Sequence, residues 1–166
     1  MKKIGLLSDT HSYLDERILH HLADCDEIWH AGDFGTVAIV DTLEALAPLR
    51  GVYGNIDGQD VRQTQPFVQR FEIEGLQVLM THIGGYPGHY SPAARPLVTQ
   101  ERPGLFISGH SHILKVMPDP KLRLLHLNPG AAGRHGFHKV RTLLRFEVEA
   151  GKVQKLQAVE LGLRVG

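Results

Sequence analysis

Five short polar clusters, each directly after an apolar run, contain the residues of this chain that could do chemistry. They carry carboxylate, amide and imidazole groups without a thiolate, a donor set that suits Mn, Fe, Zn or Ni better than a sulfur-loving ion. If the apolar runs are strands, each cluster lies at the C-terminal end of a strand, where ligands bind in open α/β sheets. The pattern therefore predicts a polynuclear metal site with seven candidate ligands: Asp9, His11, Asp33, Asn55, His82, His110 and His112.

The spacing within two clusters suggests shared coordination. Asp9 and His11 are two residues apart, and side chains at i and i+2 of an extended stretch point to the same side, so both can reach one ion. The same reasoning applies to His110 and His112. Asp33 is the natural bridge, because a carboxylate can offer one oxygen to each of two ions.

The charge balance of such a site favours an anionic substrate. Two divalent ions bring four positive charges, which two carboxylates and one bridging hydroxide reduce but do not cancel. Two ions about 3.5–4 Å apart can lower the pKa of a bridging water and stabilise the attacking and leaving oxygens of an in-line displacement. The sequence therefore predicts phosphoester hydrolysis, with Asp33 and the neutral amide of Asn55 at the reacting centre.

The elements that must position these residues alternate in the first half of the chain. Apolar runs predict strands at 3–8, 27–31 and 49–53, and helical spacing predicts helices at 14–23 and 37–47. This β-α-β-α-β order indicates parallel strands with right-handed crossovers.

The second half is rich in predicted strands. Residues 67–74 and 76–81 flank a Glu74-Gly75 hairpin signal, and 92–101 is a helix that Pro96 interrupts. Further strands are predicted at 105–108, 113–117, 122–127, 140–149 and 152–160, with turns at 118–120, 128–130 and 150–151. We expect an α/β fold of two sheets packed face to face with helices outside, in a single domain over residues 1–166.

Composition narrows the remaining function classes. The 18 basic and 18 acidic residues balance, so nothing draws the whole chain toward nucleic acid or an acidic membrane surface. No run approaches the roughly 18 apolar residues of a membrane helix, and the apolar run after Met1 is too short for a signal peptide. These features predict a soluble cytoplasmic protein and argue against nucleic-acid binding. The lone Cys25 is expected to be a buried inert thiol.

The ordered set of motifs resembles the calcineurin-like metallophosphoesterase superfamily. More narrowly it is similar to the small single-domain prokaryotic phosphodiesterases, which have a relative in the metallophosphoesterase-fold subunit of eukaryotic retromer. The resemblance implies a four-layer α/β/β/α sandwich with mixed sheets. It also implies two ligand sets, one of Asp9, His11, Asp33 and His112 and the other of Asp33, Asn55, His82 and His110.

Two positions depart from the family pattern. Many members have a histidine after the asparagine that acts on the leaving group, but this chain has Ile56, which cannot transfer a proton. Asp57 is the nearest titratable candidate for that catalytic role; the alternative is a solvated or capping carboxylate. Ser111 replaces the usual threonine between the last two histidines.

Two loops are candidates for contacting substrate. The segment 84–90 follows His82, and either borders the site or merely turns the chain. In the second loop, 128–136, Arg134 and His135 are candidates for binding the phosphate, because Arg matches phosphate oxygens bidentately; solvated loop charges are the alternative. His30, close to Asp33, either fixes a ligand by a hydrogen bond or is a satisfied core histidine.

The leading interpretation is a metal-dependent phosphodiesterase that attacks small-molecule phosphate esters with a metal-bound hydroxide. Two divalent ions are expected, with Mn favoured and Fe, Zn or Ni as alternatives, and homo-oligomerisation is left open. The alternative is a non-catalytic protein-interaction module, as in the retromer subunit. That alternative predicts loss of ligands, whereas all seven are present here.

Overall fold

Two five-stranded sheets make up most of the structure. The computed structural model describes residues 1–165. The strands are β1 (Lys2–Leu7), β2 (Glu27–His30), β3 (Leu49–Gly51), β4 (Val68–Ile73), β5 (Leu76–Thr81), β6 (Gly85–Tyr86), β7 (His89–Tyr90), β8 (Leu105–Ile107), β9 (Leu114–Asp119), β10 (Leu124–Pro129), β11 (Val140–Glu149) and β12 (Lys152–Leu163). The helices are α1 (Glu16–Leu22), α2 (Val37–Leu46), α3 (Gln59–Arg62) and α4 (Ala94–Glu101).

The first sheet has the order β12-β11-β1-β2-β3. Strands β1, β2 and β3 are parallel, which confirms the predicted β-α-β-α-β unit, and β11 joins β1 in antiparallel pairing. Leu7 pairs with His30, and His30 pairs with Gly51, so the C-terminal ends of the three parallel strands meet at one edge.

The second sheet has the order β4-β5-β8-β10-β9. Its three central strands are parallel and its two outer strands are antiparallel. Met80 of β5 pairs with Ile107 of β8, so these two strands also end side by side.

The period-2 alternation of the strands divides the core into layers. Leu6 and Trp29 of the first sheet share one buried cluster with Met80 and Ile107 of the second, so this cluster fills the space between the sheets. Outward-facing residues of the first sheet pack on α1, α2 and α3 in a second cluster. A third cluster, which includes Phe106 of the second sheet, lies beneath α4. The predicted four-layer α/β/β/α sandwich is confirmed.

Two sequence predictions about proline differ from the structure. Helix α4 is not interrupted by Pro96, because this residue lies in the first helical turn, where its missing N–H has no partner within the helix. The turn predicted at 118–120 is wrong in position: β9 continues through Pro118 to Asp119, and the chain turns at 120–123. Strand β9 is at the sheet edge, where proline is tolerated.

Three smaller features also differ from expectation. The turn predicted at 128–130 begins only at Gly130, because Asn128 and Pro129 complete β10. The segment 84–90 forms a small hairpin of β6 and β7, and α3 was not predicted.

The predicted hairpin turns at 74–75 and 150–151 are confirmed, with positive φ at all four residues. Within residues 1–165, no helix combines the length and apolar character needed to cross a bilayer.

Candidate metal centre

The seven candidate ligands come together where the two sheets present the C-terminal ends of their parallel strands. Each follows a strand directly or within a few residues: Asp9 and His11 after β1, Asp33 after β2, Asn55 after β3, His82 after β5, and His110 and His112 after β8. Five loops that are distant in sequence therefore supply one cluster of donors.

The donors form two adjoining groups. Within each group the candidate ligand atoms lie within 4.8 Å of one another, and the groups are Asp9, His11 and His112, and Asp33, His82 and His110. In the first, Asp9 Oδ1 is 3.1 Å from His112 Nε2 and 3.8 Å from His11 Nε2. In the second, Asp33 Oδ2 is 3.2 Å from His82 Nε2.

Asp33, a member of the second group, also borders the first. Its Oδ2 atom is also 3.5 Å from His11 Nε2 of the first group. Its Oδ1 atom accepts a hydrogen bond from the Ile56 backbone N–H at 3.1 Å, which fixes the carboxylate in this orientation. Asn55 adjoins the second group, with Oδ1 3.1 Å from His110 Nδ1.

The spacing argument for the last histidine pair is wrong in one respect. His110 and His112 belong to different groups, not to one. Both residues have left-handed backbone, with φ of 70° and 62°, so the extended geometry assumed from the sequence does not apply to them. It does not apply to Asp9 and His11 either, with φ of 55° and 44°, although these two do share a group. Five of the seven candidate ligands have positive φ, the others being Asp9, His11 and Asp33. Such conformations cost of the order of 1–3 kcal/mol each in non-glycine residues and cluster at functional sites.

Unpartnered buried atoms show that the donor set fits metal ions. Asp9 Oδ1, His11 Nε2 and His82 Nε2 are buried and have no hydrogen-bond partner. Leaving such groups unsatisfied costs about 1–3 kcal/mol each, more for charged groups, whereas divalent cations at the two groups would satisfy all three. His82 Nδ1 donates to the Ala31 carbonyl oxygen at 2.7 Å, so its Nε2 lone pair is directed at the carboxylates, as in a metal-ligating histidine.

The electrostatics keep the two carboxylates ionised. Burial by itself raises the pKa of Asp9, but the imidazoles of His11 and His112 outweigh it and hold that pKa well below its usual range. Burial also opposes ionisation of Asp33, and His11 and His82 outweigh it, so the pKa of Asp33 is depressed as well. The carboxylates of Asp33 and Asp9 in turn raise the pKa of His11 to about 9. Protons and metal cations therefore compete for the same atoms.

Asp9 is oriented by two groups that the sequence did not single out as functional. The Ser8 hydroxyl donates to Asp9 Oδ2 at 2.6 Å, and the His110 backbone N–H donates to the same oxygen at 3.1 Å. These bonds leave Oδ1 to face the histidines. Position next to a ligand was the only sequence signal for Ser8.

Asn128 fixes the loop that carries the last two histidines. Its Nδ2 donates to the Gly109 carbonyl oxygen at 3.1 Å and to Ser111 Oγ at 3.0 Å. The sequence placed Asn128 in a loop close to the site, but gave no indication of these partners.

His30 connects two ligand-bearing loops. The Gly32 N–H donates to His30 Nδ1 at 3.1 Å, so His30 Nε2 carries the proton and donates to Thr10 Oγ1 at 3.0 Å. Burial lowers the pKa of His30 to about 3, which keeps the ring neutral. Of the two alternatives left open by the sequence, this geometry favours a role in positioning the ligands.

Asp57 is buried and turned away from the centre. Its carboxylate accepts the backbone N–H groups of Phe34 at 3.2 Å, Gly35 at 2.9 Å and Gly54 at 2.8 Å. These bonds join the loop after β2 to the loop after β3. The geometry is that of the capping alternative, and it leaves no oxygen directed at a substrate.

The two candidate phosphate-binding residues separate in the structure. His135 stacks on His11, with ring centroids 4.6 Å apart, and lines a cavity of about 490 Å³ above the donors. Arg134 lies instead over the ring of Tyr13, 5.2 Å from its centroid, and does not line this cavity. The structure therefore brings His135 to the centre and leaves Arg134 outside it, because successive loop residues point in different directions.

Two adjoining sets of carboxylate and imidazole donors beneath an open cavity are typical of hydrolases that use paired divalent ions. Sequence comparison leads to the same class. The chain belongs to the calcineurin-like phosphoesterase superfamily, whose domain matches residues 1–151. A probable metallophosphoesterase of Methanothermobacter thermautotrophicus is 35% identical over 135 residues, which cover 77% of this chain and 76% of the relative.

Solved structures show the same fold. An archaeal phosphodiesterase superimposes with a TM-score of 0.77 at 22% identity, covering 96% of this chain and 99% of the other. Vps29 of Entamoeba histolytica complexed with Zn²⁺ superimposes with a TM-score of 0.73 at 18% identity, covering 95% and 98%. The chain is thus a metallophosphoesterase-family protein with two candidate metal-binding groups.

Replacing His30 tests its role in positioning the ligands. We expect His30→Ala to reduce Mn²⁺ affinity about 10–100-fold, as loss of an outer hydrogen-bond partner does, because the Thr10 and Gly32 contacts are lost. His126→Ala is the matched control: His126 is also fully buried, but its ring Nδ1 bonds to the carbonyl oxygen of Phe106 within strand β8. Calorimetric titration with Mn²⁺ would separate the two, and equal affinities in both variants would contradict the positioning role.

Proposed function

We propose that this protein is a binuclear metal-dependent phosphodiesterase. The observation that carries the proposal is the position of Asp33 Oδ2, which is 3.5 Å from His11 Nε2 in one donor group and 3.2 Å from His82 Nε2 in the other. A carboxylate oxygen shared in this way is suited to bridging two cations. In this assignment Asp9, His11, Asp33 and His112 would hold one ion, and Asp33, Asn55, His82 and His110 would hold the other.

When bound, paired divalent ions supply Lewis acidity, a water of lowered pKa and neutralisation of phosphate charge. The protein's own groups set the geometry in which this happens. Ser8 and the Ile56 N–H each hold one oxygen of a carboxylate and leave the other directed at the centre. Asn55 is exposed at the cavity and accepts at Oδ1, so its Nδ2 group is available to donate to a phosphate oxygen.

The absence of a proton donor beside Asn55 indicates the kind of ester. Ile56 occupies that position and its side chain is half exposed at the cavity. Asp57 is engaged by three backbone amides and faces away. A leaving group must therefore depart without a proton from this part of the chain, which favours diesters and activated esters over monoesters with alkoxide leaving groups.

Other parts of the proposal follow from donor chemistry. Carboxylate, amide and imidazole donors accept several first-row ions, and we propose Mn²⁺ as the native metal, with Fe, Zn and Ni as the alternatives. We further propose a small-molecule ester as substrate, a single domain over residues 1–166 and a cytoplasmic location.

A non-catalytic interaction module is the second candidate. The structural similarity to Vps29 is the observation that supports this second candidate, although at 18% identity the similarity shows the fold alone. An interaction surface does not require seven donors to converge or buried ligand atoms to remain unpartnered. The two candidates differ in whether metal-loaded protein turns over a diester.

Hydrolysis of bis-p-nitrophenyl phosphate tests the proposal. We expect chelator-stripped protein to be inactive and added Mn²⁺ to restore turnover, because the described residues that line the cavity include no lysine or arginine to offset the charge of the phosphate and leaving group. Release of p-nitrophenolate measures the rate. Metal bound at two sites without any turnover would favour the interaction module instead.

Asp33→Asn tests the bridging carboxylate. The substituted side chain retains an oxygen that can accept the Ile56 N–H, so the fold should persist while the negative charge between the two groups is lost. We expect the diesterase rate to fall about a hundredfold or more, since removal of outer partners alone typically costs 10–100-fold. Asp41→Asn, on the exposed face of α2, controls for loss of one charge. Wild-type turnover in Asp33→Asn would rule out the bridging role.

His112→Ala and His110→Ala test the division of the histidines between two ions. Because these residues belong to different donor groups, each variant should lose high-affinity binding of a different ion and retain one Mn²⁺ per chain. Metal content after dialysis would show this as a stoichiometry near one in place of two. Retention of both ions in both variants would contradict the assignment.

A further inference from the structure

Three large apolar side chains are exposed at the mouth of the cavity above the donors. Ile56 is 47% exposed, Ile113 61% and Phe137 101%, and all three line the same cavity. They come from three separate loops, after β3, after β8 and before β11. Single exposed apolar residues are common on proteins, but a group that borders one cavity indicates a binding surface.

This cavity has apolar and aromatic walls without a fixed cation. Among the residues that the structure describes, its lining includes neither lysine nor arginine. Apart from the candidate ligands, the lining offers the imidazoles of His135 and His138 and the hydroxyl of Ser111. A second phosphate or a carboxylate would therefore meet no lysine or arginine among the described residues on this side of the centre.

A cation is present on the other side of His110. A neighbouring cavity of about 310 Å³ shares His110 and Ser111 with the first and contains Lys115, whose Nζ lies 3.8 Å from the centre of the Tyr86 ring. The two sides of the centre thus differ in chemistry. A diester with its phosphate at the donors would direct its neutral substituent toward Phe137 and a polar or charged one toward Lys115.

The backbone beside Phe137 is shaped to expose the ring. Gly136 has a φ of 130°, and a Cβ at this position would collide with the His112 ring, so only glycine lets the loop lie directly on His112. His138 Nε2 donates to the Gly133 carbonyl oxygen at 2.9 Å and closes the loop on the other side of the phenylalanine. The loop is therefore held at both sides while the Phe137 ring projects into solvent.

We propose that Ile56, Ile113 and Phe137 form an apolar seat, which binds the neutral aromatic substituent that the diester retains after hydrolysis. The inference rests on the proposed phosphodiesterase function and specifies its substrate class. A cavity of about 490 Å³ is in the range of small-molecule sites. Flat rings at Phe137, His135 and His138 match an aromatic group, which gains from ring stacking as well as from burial.

Two substrates with the same leaving group separate the effect of binding at the seat from the effect of the hydrolytic step. Phenyl p-nitrophenyl phosphate and methyl p-nitrophenyl phosphate both release p-nitrophenolate and differ in the retained substituent. We expect Phe137→Ala, in Mn²⁺-loaded full-length protein, to raise KM for the phenyl ester about tenfold, a typical effect of losing one aromatic stacking partner. Its kcat and the kinetics with the methyl ester should change less than about twofold.

Further variants separate stacking from general damage. Phe137→Trp should retain the preference for the phenyl ester, and Ile113→Ser should weaken it in the same direction as Phe137→Ala. Leu46→Ala removes an exposed apolar side chain on α2 that does not line the cavity, and should leave both esters unaffected. Calorimetric titration with diphenyl phosphate and dimethyl phosphate adds a readout without turnover, in which Phe137→Ala should weaken only the diphenyl ligand.

The outcomes distinguish this inference from the proposed function. If both esters are hydrolysed and Phe137→Ala changes them equally or not at all, the seat is ruled out while the phosphodiesterase assignment stands. If neither ester is hydrolysed with metal present, the proposed function fails and the seat fails with it. A selective loss for the phenyl ester, together with selective loss of diphenyl phosphate binding, establishes the seat.

Discussion

Two carboxylates held side by side away from water are the constraint on which the rest of this structure depends. Asp9 and Asp33 are almost fully buried, and the His11 and His82 Nε2 atoms each lie within 4.0 Å of both. Negative charges at this depth need compensation, and the surrounding imidazoles provide it only while they hold protons. Metal cations can replace those protons, so the site's own electrostatics prepare it for divalent ions.

The fold meets this constraint through its loops and not through its strands. Parallel strands of both sheets end at the same place, which gives five loops access to one small volume. The loops then adopt left-handed conformations at five candidate-ligand positions, a strained arrangement that buried hydrogen bonds maintain. His30 and Asp57 supply some of these hydrogen bonds. His30 joins the loops after β1 and β2, and Asp57 joins the loops after β2 and β3.

Sequence patterns predicted the layers and the donors because both depend on local regularities. Apolar runs located the parallel strands, and donor types at strand ends located the centre. The grouping of the ligands and the role of Asp57 depend on three-dimensional contacts, which the sequence patterns do not contain. Spacing had grouped His110 and His112, which the structure places in different donor groups, and three backbone amides engage an Asp57 carboxylate that chain proximity had suggested for catalysis. The exposure of Phe137 has no sequence signal, since it arises from how one loop packs on His112.

Anomalous diffraction from Mn²⁺-soaked crystals tests the central claim most directly. Because the histidines are distributed over two donor groups, each with a buried carboxylate, two anomalous peaks are expected in each chain. One peak should lie among Asp9, His11 and His112, the other among Asp33, His82 and His110, with Asp33 Oδ2 between them. A single peak, or density for manganese only away from these donors, would contradict the account of a binuclear centre.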